Sequence, residues 1–458
     1  MNPISLFNEF PEVSSKAWKQ KIQYELKGKD YNEALVWESP EGIKVKPFYH
    51  ADDLPDVRHS STVAKNPWNI GQVIYAGNAI MANQNAQRLL KTGAEALRFS
   101  IPSETIDIGV LLKDIDLHKV YVYLELQFLS IPYSTKISKL HQDRQNLFLQ
   151  IDPIGHLSRS GNWFTSMSSD FDTLDALLEL PLDNMLSIDL SLYQNAGADR
   201  VQQLAYGLAH ANEYLNHLHE KGSLPTLKRV QFHLAIDGNY FFEIAKLKAL
   251  RLLWETLCTA YGISAECHIT AMPSKRNKTM YDYNVNMLRT TTECMSAILG
   301  GADTIFNLPY DAVYHKDNEF GQRIALNQLV LLKEESYFDK VENPVAGSYY
   351  VETITHQMAE KALVLFKAIE KDGGFLKQLK SHTVQHKIIN SANKQQERFD
   401  TGHEILVGTN AYQNESDKMA KDVELYPFVK RNPRKTLILP IIEKRLAEEM
   451  EQNRLDHE

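Results

Sequence analysis

Between residues 68 and 374 the chain alternates short apolar runs with longer amphipathic stretches, and no other feature narrows its fold so sharply. The runs at 96–101, 120–128, 147–151, 185–190, 230–236, 265–270 and 304–307 have the length and composition of buried strands. Between them, apolar residues recur every three or four positions, as in Val201, Leu204, Ala205, Leu208 and again in Phe241, Ile244, Ala245, Lys248, Leu252. That spacing places them on one face of a helix. A helix between successive strands carries the chain back across the sheet, so the strands run parallel. Seven strands are legible, and an eighth would close them into a (β/α)8 barrel. From the pattern alone a doubly wound open sheet is the alternative.

The stretch 284–352 ends this pattern. Val285, Leu288, Thr292, Met295 and Leu299 mark one helical face, and Gly300-Gly301 stops the helix before the strand that begins at Asp303. Ile324, Gln328, Leu331 and Leu332 mark a second helix. A turn through Asn-Pro-Val-Ala-Gly-Ser then leads to a third, with Met358, Ala362, Leu365 and Ile369 on its buried face.

The flanks differ in character. Residues 1–65 hold a helix at 15–26 behind a serine cap but no compact apolar core, and read as an arm packed on a partner or a neighbouring domain. Residues 66–375 form the barrel, and 376–458 a charged, helical linker or tail. At 458 residues and 43% hydrophobic content the chain can bury a large core. Its net charge of −8 argues against a nucleic-acid partner. No run reaches the roughly 18–20 apolar residues of a membrane span, and the start lacks the basic and apolar regions of a signal peptide. Cys258, Cys267 and Cys294 are scattered, with no CxxC pair. A soluble, reduced, cytoplasmic protein is expected.

Chemistry-bearing motifs are few. Dinucleotide, P-loop, zincin and hydrolase signatures are absent from the sequence. His210, His217 and His219 share a predicted helix but read as exposed helix-end residues, and no metal site is expected.

The wording of several segments is more specific than their physics. RTT-x-E, then six residues and GG, then R-I-A-x-N and EES…P-x-x-GSYYVE in 284–352 resemble methylmalonyl-CoA mutase. So do Tyr240-Phe-Phe-Glu-Ile-Ala-Lys through Leu-Trp254 and Gln194-Asn-Ala-Gly-Ala198. The amino-terminal FPEVS…LKGKDY…LVW…VKPFY is similar to the arm of that family's small subunit, which packs against the partner chain. The resemblance implies a (β/α)8 barrel and the adenosylcobalamin-dependent interconversion of methylmalonyl-CoA and succinyl-CoA.

It also exposes departures. Catalytic members carry a Tyr-His pair just before the stretch matched at Gln194, and Ser191 and Leu192 stand there. Leucine cannot donate the hydrogen bond that the family's histidine gives the thioester. Val73 falls at the family tyrosine that helps drive adenosyl off cobalt, and Thr270 at a glutamine. His268 survives as a possible residual ligand contact. His219-Glu-Lys-Gly222 matches the end of the family's cobalamin motif D-x-H-x-x-G only in part, since His217 replaces the aspartate. In catalytic members small Ser and Thr side chains line the barrel axis around pantetheine. Here Tyr121, Tyr123, Glu125 and Gln127 occupy the corresponding strand face and should plug it.

The resemblance and its departures imply a non-catalytic small subunit without a cobalamin-binding domain, which stabilises a large catalytic subunit in a heterodimer. The partner would bind adenosylcobalamin and the CoA esters, and this chain no cofactor. Arg289, in a buried pair, Glu293, Gly347, at its turn, Tyr349 and Tyr350 would then be structural. Two alternatives stay open: a catalytic acyl-CoA mutase barrel working with a separate cobalamin-binding polypeptide, and a non-enzymatic scaffold for a cobalamin chaperone.

Overall fold

The structure is a computed structural model that describes residues 9, 11–54, 68–140, 145–430 and 433–458. Residues 1–8, 10 and 55–65 of the expected arm lie outside the described residues. Eight strands form one sheet: β1 Asn69–Tyr75, β2 Ala96–Ile101, β3 Tyr121–Leu126, β4 Leu147–Gln150, β5 Ser187–Asp189, β6 Arg229–Ile236, β7 Glu266–Pro273 and β8 Thr304–Phe306. Neighbours pair in parallel in the order β4-β3-β2-β1-β8-β7-β6-β5. A parallel bridge between Ile151 and Leu186 joins the two ends. The Leu149 amide donating to Asn184 (2.8 Å) and the Ser187 amide donating to Ile151 (3.1 Å) complete that seam. The sheet is therefore a barrel, as the alternation of elements predicts.

The unplaced eighth strand is β1. Its apolar run is broken by Gly71 and Gln72, which hides it from a periodicity search. The interruption has a packing cause: a Cβ on Gly71 would stand 2.5 Å from the ring of Phe306 on the paired strand β8.

Helices cover the outside: α1 Ala79–Lys91, α2 Ile131–Leu140, α3 Met167–Leu178, α4 Arg200–Glu220, α5 Tyr240–Tyr261, α6 Val285–Leu299, α7 Glu319–Val330, α8 Tyr349–Lys371 and α9 Thr383–Asp400. The main core lies between them and the outer face of the sheet, where Ile70, Leu97, Val122, Phe232 and Ile269 meet Ala205, Leu250 and Ala297. On α6 the structure reverses the expected face. Leu288 is 68% exposed, whereas Asn286, Thr290, Glu293 and Ala297 are buried. The inner face of this helix is polar because it holds a buried hydrogen-bond network.

Among the described residues beyond 345, helix is confined to α8, Phe375–Lys380, α9 and Glu448–Leu455. The expected helical tail is thus interrupted: the described residues of 401–447 are turns and extended chain. Pro427 and Pro440 break helical hydrogen bonding there. This strap is docked, not solvated. Ile438, Ile441, Leu446 and Ala447 are buried, and the Ile441, Lys444 and Leu446 amides donate to Ser158, Asn195 and Arg276.

In the arm, Ser14 caps the helix Ser15–Glu25, which buries none of its own residues. The following segment lies on the chain's own barrel. Ile43 is buried, Tyr49 meets Tyr350 at 5.3 Å, and Glu41 accepts from Arg200 at 2.8 Å. Among the described residues no helix is long and apolar enough to cross a membrane.

Candidate functional site

Parallel barrels carry their sites at the C-terminal ends of the strands, with the interior as floor. Here six different strands send side chains to one interior cluster, separate from the main core: Ala96, Tyr123, Phe148 and Phe306, with Val73, Tyr121 and Met272 partly buried against it. Tyr123 is fully buried, with its ring 4.6 Å from Phe148 and 5.5 Å from Phe306. Its hydroxyl lies 2.8 Å from both His268 Nε2 and Thr304 Oγ1. The His268 ring stacks on Phe148 at 4.5 Å. Side chains thus fill the barrel axis at this level. Burial pulls the His268 pKa down to about 4, although Asp303 lies 3.8 Å from its Nδ1. The ring is a neutral, hydrogen-bonded member of the fill.

Against this cluster sits a polar group of interior side chains. Arg98 Nη1 donates to His233 Nε2 (2.9 Å), which leaves the His233 proton on Nδ1, facing Thr270 Oγ1 at 2.9 Å. Burial and then the Arg98 charge hold His233 down at about 3, so it stays neutral. Arg98 also lies over Phe306, 5.2 Å from the ring. Burial would raise the Asp189 carboxyl, but the Arg159 charge, the Ser191 hydroxyl and the Arg98 charge outweigh it and hold it at about 2. Arg159 reaches Asp189 at 2.7 Å and Glu443 of the strap at 3.0 Å, tying the rim to the C-terminal segment.

The residues singled out from sequence land in different places. Val73 is half-buried in the interior cluster, and Thr270 is buried on His233. Ser191 donates to Asp189 at 2.5 Å, and Leu192 belongs to the main core outside the barrel. Of the four residues expected to plug the axis, Tyr123 is at its centre. Tyr121 lies half-buried at the N-terminal mouth, where it shares a cavity of about 600 Å³ with His268, Arg229 and Asp303. Glu125 accepts from Ser100 (3.0 Å) at the other end, with its side chain 45% exposed. Gln127 is exposed and outside the fill, because β3 ends at Leu126. The larger share of the fill comes from Phe148, Phe306, Arg98 and His233, which sequence reasoning missed. Strict alternation along Leu147-Phe-Leu-Gln would have turned Phe148 inward.

The structural motif residues also separate. Gly347 has φ +80°, the left-handed region its turn requires. Tyr350 packs between Tyr49 and Phe241, both at 5.3 Å, while Tyr349 is 41% exposed. Among the described residues Arg289 has no ion-pair partner, unlike the expected pair. It donates to Thr279, Asn286 and the Val407 carbonyl, and the buried pair is Glu293 with Lys278. His210 is not exposed but fully buried, bonded to Asp152 (2.8 Å) and Tyr193 (3.0 Å); His217 meets Asp175 at 2.6 Å. No group of three or more His, Cys, Asp or Glu residues suited to a metal exists among the described residues.

Comparison with known proteins decides the family. A sequence profile described as methylmalonyl-CoA mutase matches residues 99–453, more than half of the chain. The chain belongs to the methylmalonyl-CoA mutase family. It is 37% identical over 444 residues to the methylmalonyl-CoA mutase small subunit of Porphyromonas gingivalis, covering 89% of this chain and 71% of that one. Identity is 28% over 446 residues to the small subunit of Streptomyces virginiae, covering 89% and 72%. It is 29% over 459 residues to the mutase of Cereibacter sphaeroides, covering 86% and 64%. The chain therefore spans about two thirds of the length of these mutase relatives.

Proposed function

We propose that this chain is the non-catalytic small subunit of a heterodimeric methylmalonyl-CoA mutase and that it stabilises a large subunit which performs the chemistry. One observation carries the reading: Tyr123, Phe148, His268 and Phe306 fill the axis along which a pantetheine arm would have to pass. Eight-stranded barrels have interior space for side chains or a slim ligand, not both. The names of the Porphyromonas and Streptomyces relatives support the assignment.

The residues present do not suit the substrate thioester or the cofactor either. Leu192, at the family histidine position, is packed in the apolar core, and His217 is held by Asp175. His219, in the partial cobalamin motif, sits in the last turn of α4 beside Tyr261. No catalytic step is assigned to this chain. Its contribution is a rigid barrel, an arm and a docked strap for a partner to bury. An obligate interface of this kind covers more than about 2,000 Å². Adenosylcobalamin and the CoA esters would belong to the large subunit, and the complex would act in cytoplasmic propionate metabolism.

The test is an assay of the purified chain, of the large subunit and of their mixture, with adenosylcobalamin and methylmalonyl-CoA. Turnover is expected only where the large subunit is present, with its thermal midpoint raised by this chain. Turnover by this chain alone overturns the non-catalytic reading, and failure of the two chains to co-elute overturns the partnership.

A further inference from the structure

A cavity of about 530 Å³ opens at the C-terminal rim, between the loops after β5, β6 and β7 on one side and α9 with the strap on the other. It lies beside the barrel axis, clear of the ring cluster. Its volume is in the range of small-molecule pockets. The charges on its two walls are arranged differently.

On the barrel side, carboxylates gather around one guanidinium. Arg200 is bound by Glu41 (2.8 Å), Glu243 (2.7 Å) and Asp237, and Lys246 also pairs with Glu243 at 2.6 Å, so these acids are held by cations of their own wall. Asp199 is used as the cap of α4, accepting from the Gln202 amide at 2.8 Å, and burial raises its carboxyl to about 6.

On the other side the cations are in excess. Lys387, Lys394 and Arg398 stand seven and four residues apart, which puts them on one face of α9, and all three line the cavity. Among the described residues neither Lys387 nor Lys394 has a carboxylate within ion-pair distance, and Arg398 has only Glu404, at 3.8 Å. That carboxylate also accepts from Gln395 (2.7 Å), and burial raises its pKa. Deeper in, Arg276 is 4% exposed and, among the described residues, donates only to neutral acceptors: Gln395 Oε1 (2.6 Å), the Lys444 carbonyl (2.7 Å) and, weakly, the Ala392 carbonyl (3.5 Å). Burial pulls its guanidinium down to about 10, against the opposing pull of Glu404, Asp237 and Glu448. An apolar edge of Trp37, 46% exposed, and Ile405, 53% exposed, borders the same space.

We propose that this cavity is a ligand site for an organic phosphate with an apolar or aromatic body. Lys387, Lys394 and Arg398 receive the phosphate, Arg276 supplies a second, fixed positive charge behind it, and Trp37 with Ile405 covers the body. Several cations spread around one wall suit a phosphate's distributed charge, and lysines act on it as point charges. The cavity is too large for inorganic phosphate to fill.

The test is calorimetric titration of the full chain with 1-naphthyl phosphate, 1-naphthol and inorganic phosphate. The phosphate ester is expected to bind at least about tenfold more tightly than either other probe, and to weaken as salt screens the charges. The double variant Lys387→Ala/Lys394→Ala should lose about tenfold in affinity for the ester. Both lysines are exposed on α9, so its thermal midpoint should match that of the unaltered chain. A control pair at the opposite end of the barrel, Lys91→Ala/Lys119→Ala, should bind normally. Equal affinity for ester and naphthol, equal affinity for ester and inorganic phosphate, or a double variant that binds as well as the unaltered chain overturns the proposal. So does a control pair that loses as much as the double variant.

Discussion

Lys278 and Glu293 form an ion pair sealed inside the protein, with Nζ 2.8 and 3.0 Å from the two carboxylate oxygens and both side chains 1% exposed. Asn277 adds a hydrogen bond to the same carboxylate at 2.7 Å. Burial pushes the Glu293 carboxyl up to about 7 and pulls Lys278 down, so desolvation weighs on both partners in spite of their attraction. The pair fixes the loop after β7 to α6, and the Arg445 guanidinium of the strap binds the Lys278 carbonyl at 3.0 Å. It is a joint between barrel and C-terminal segment.

Breaking one side of that joint should cost far more than removing both. Lys278→Ala leaves a carboxylate buried without its cation and should lower unfolding stability by about 3–5 kcal/mol. Lys278→Met/Glu293→Gln keeps the volume and an acceptor for Asn277 and should recover most of the loss. Chemical denaturation of the two variants decides this. A double variant as unstable as the single one would mean the charges themselves are needed.

Glu370 offers a pH signature. It sits on α8 against α4, where Asn212 donates to one oxygen at 2.9 Å and the other has no hydrogen-bond partner. Burial, with Glu213 adding to it, raises its carboxyl to about 7, against about 4.3 in an unfolded chain. The folded state therefore holds a proton that the unfolded state releases between those values. The associated stability is complete below about pH 4.3 and is lost as pH rises through 7. Glu370→Gln should match the unaltered chain at pH 4 and melt progressively higher than it towards pH 7.5. A constant offset across that range would remove Glu370 from the titration.

How far these features could be read in advance depends on what each residue is packed against. Strands β2 to β8 are legible because each is a short, mostly apolar run between helical patterns, its outer-face residues buried under the helices. Strand β1 was not, since Gly71 is dictated by the ring of Phe306, more than two hundred residues away. On α6 the apolar periodicity pointed to Leu288, but the buried side is the polar one that carries Asn286, Thr290 and Glu293. Hydrophobic pattern cannot report a helix whose inner face is a hydrogen-bond network. The family wording found Glu293, but only the fold supplies Lys278 as its partner in place of Arg289. The same holds for His210, whose partners Asp152 and Tyr193 come from other segments of the chain.

The arm is anchored by charge as well as by rings. Arg200, 7% exposed, takes Glu41 from the arm together with Asp237 and Glu243 from the barrel. Burial opposes a charge on Glu41, yet Arg200 holds its carboxyl below the ordinary value. Glu41→Gln should leave the barrel folded and loosen the arm, because Asp237 and Glu243 still satisfy Arg200. Limited proteolysis is expected to cut several times faster near Lys27 and Lys29. Trp37 and Phe242, 5.7 Å apart, should separate with it. Unchanged proteolysis would assign the docking to the aromatic contacts alone.

Gly71 tests the packing of the barrel axis most directly. A methyl group there would meet Phe306 Cδ1 at 2.5 Å and the Ile305 carbonyl oxygen at 3.0 Å. Neither neighbour is free to move: Phe306 packs edge-on against Tyr123 and carries Arg98 over its face, and Ile305 pairs with β1. Gly71→Ala should therefore destabilise the fold by about 1–3 kcal/mol, as overpacked cores do. The smaller branched side chain of Phe306→Leu vacates the space the methyl needs, so Gly71→Ala/Phe306→Leu should be more stable than Gly71→Ala alone. A double-mutant cycle from urea denaturation measures the coupling. Strict additivity would mean that Phe306 is not what keeps position 71 bare, and that the backbone carbonyl beside it is.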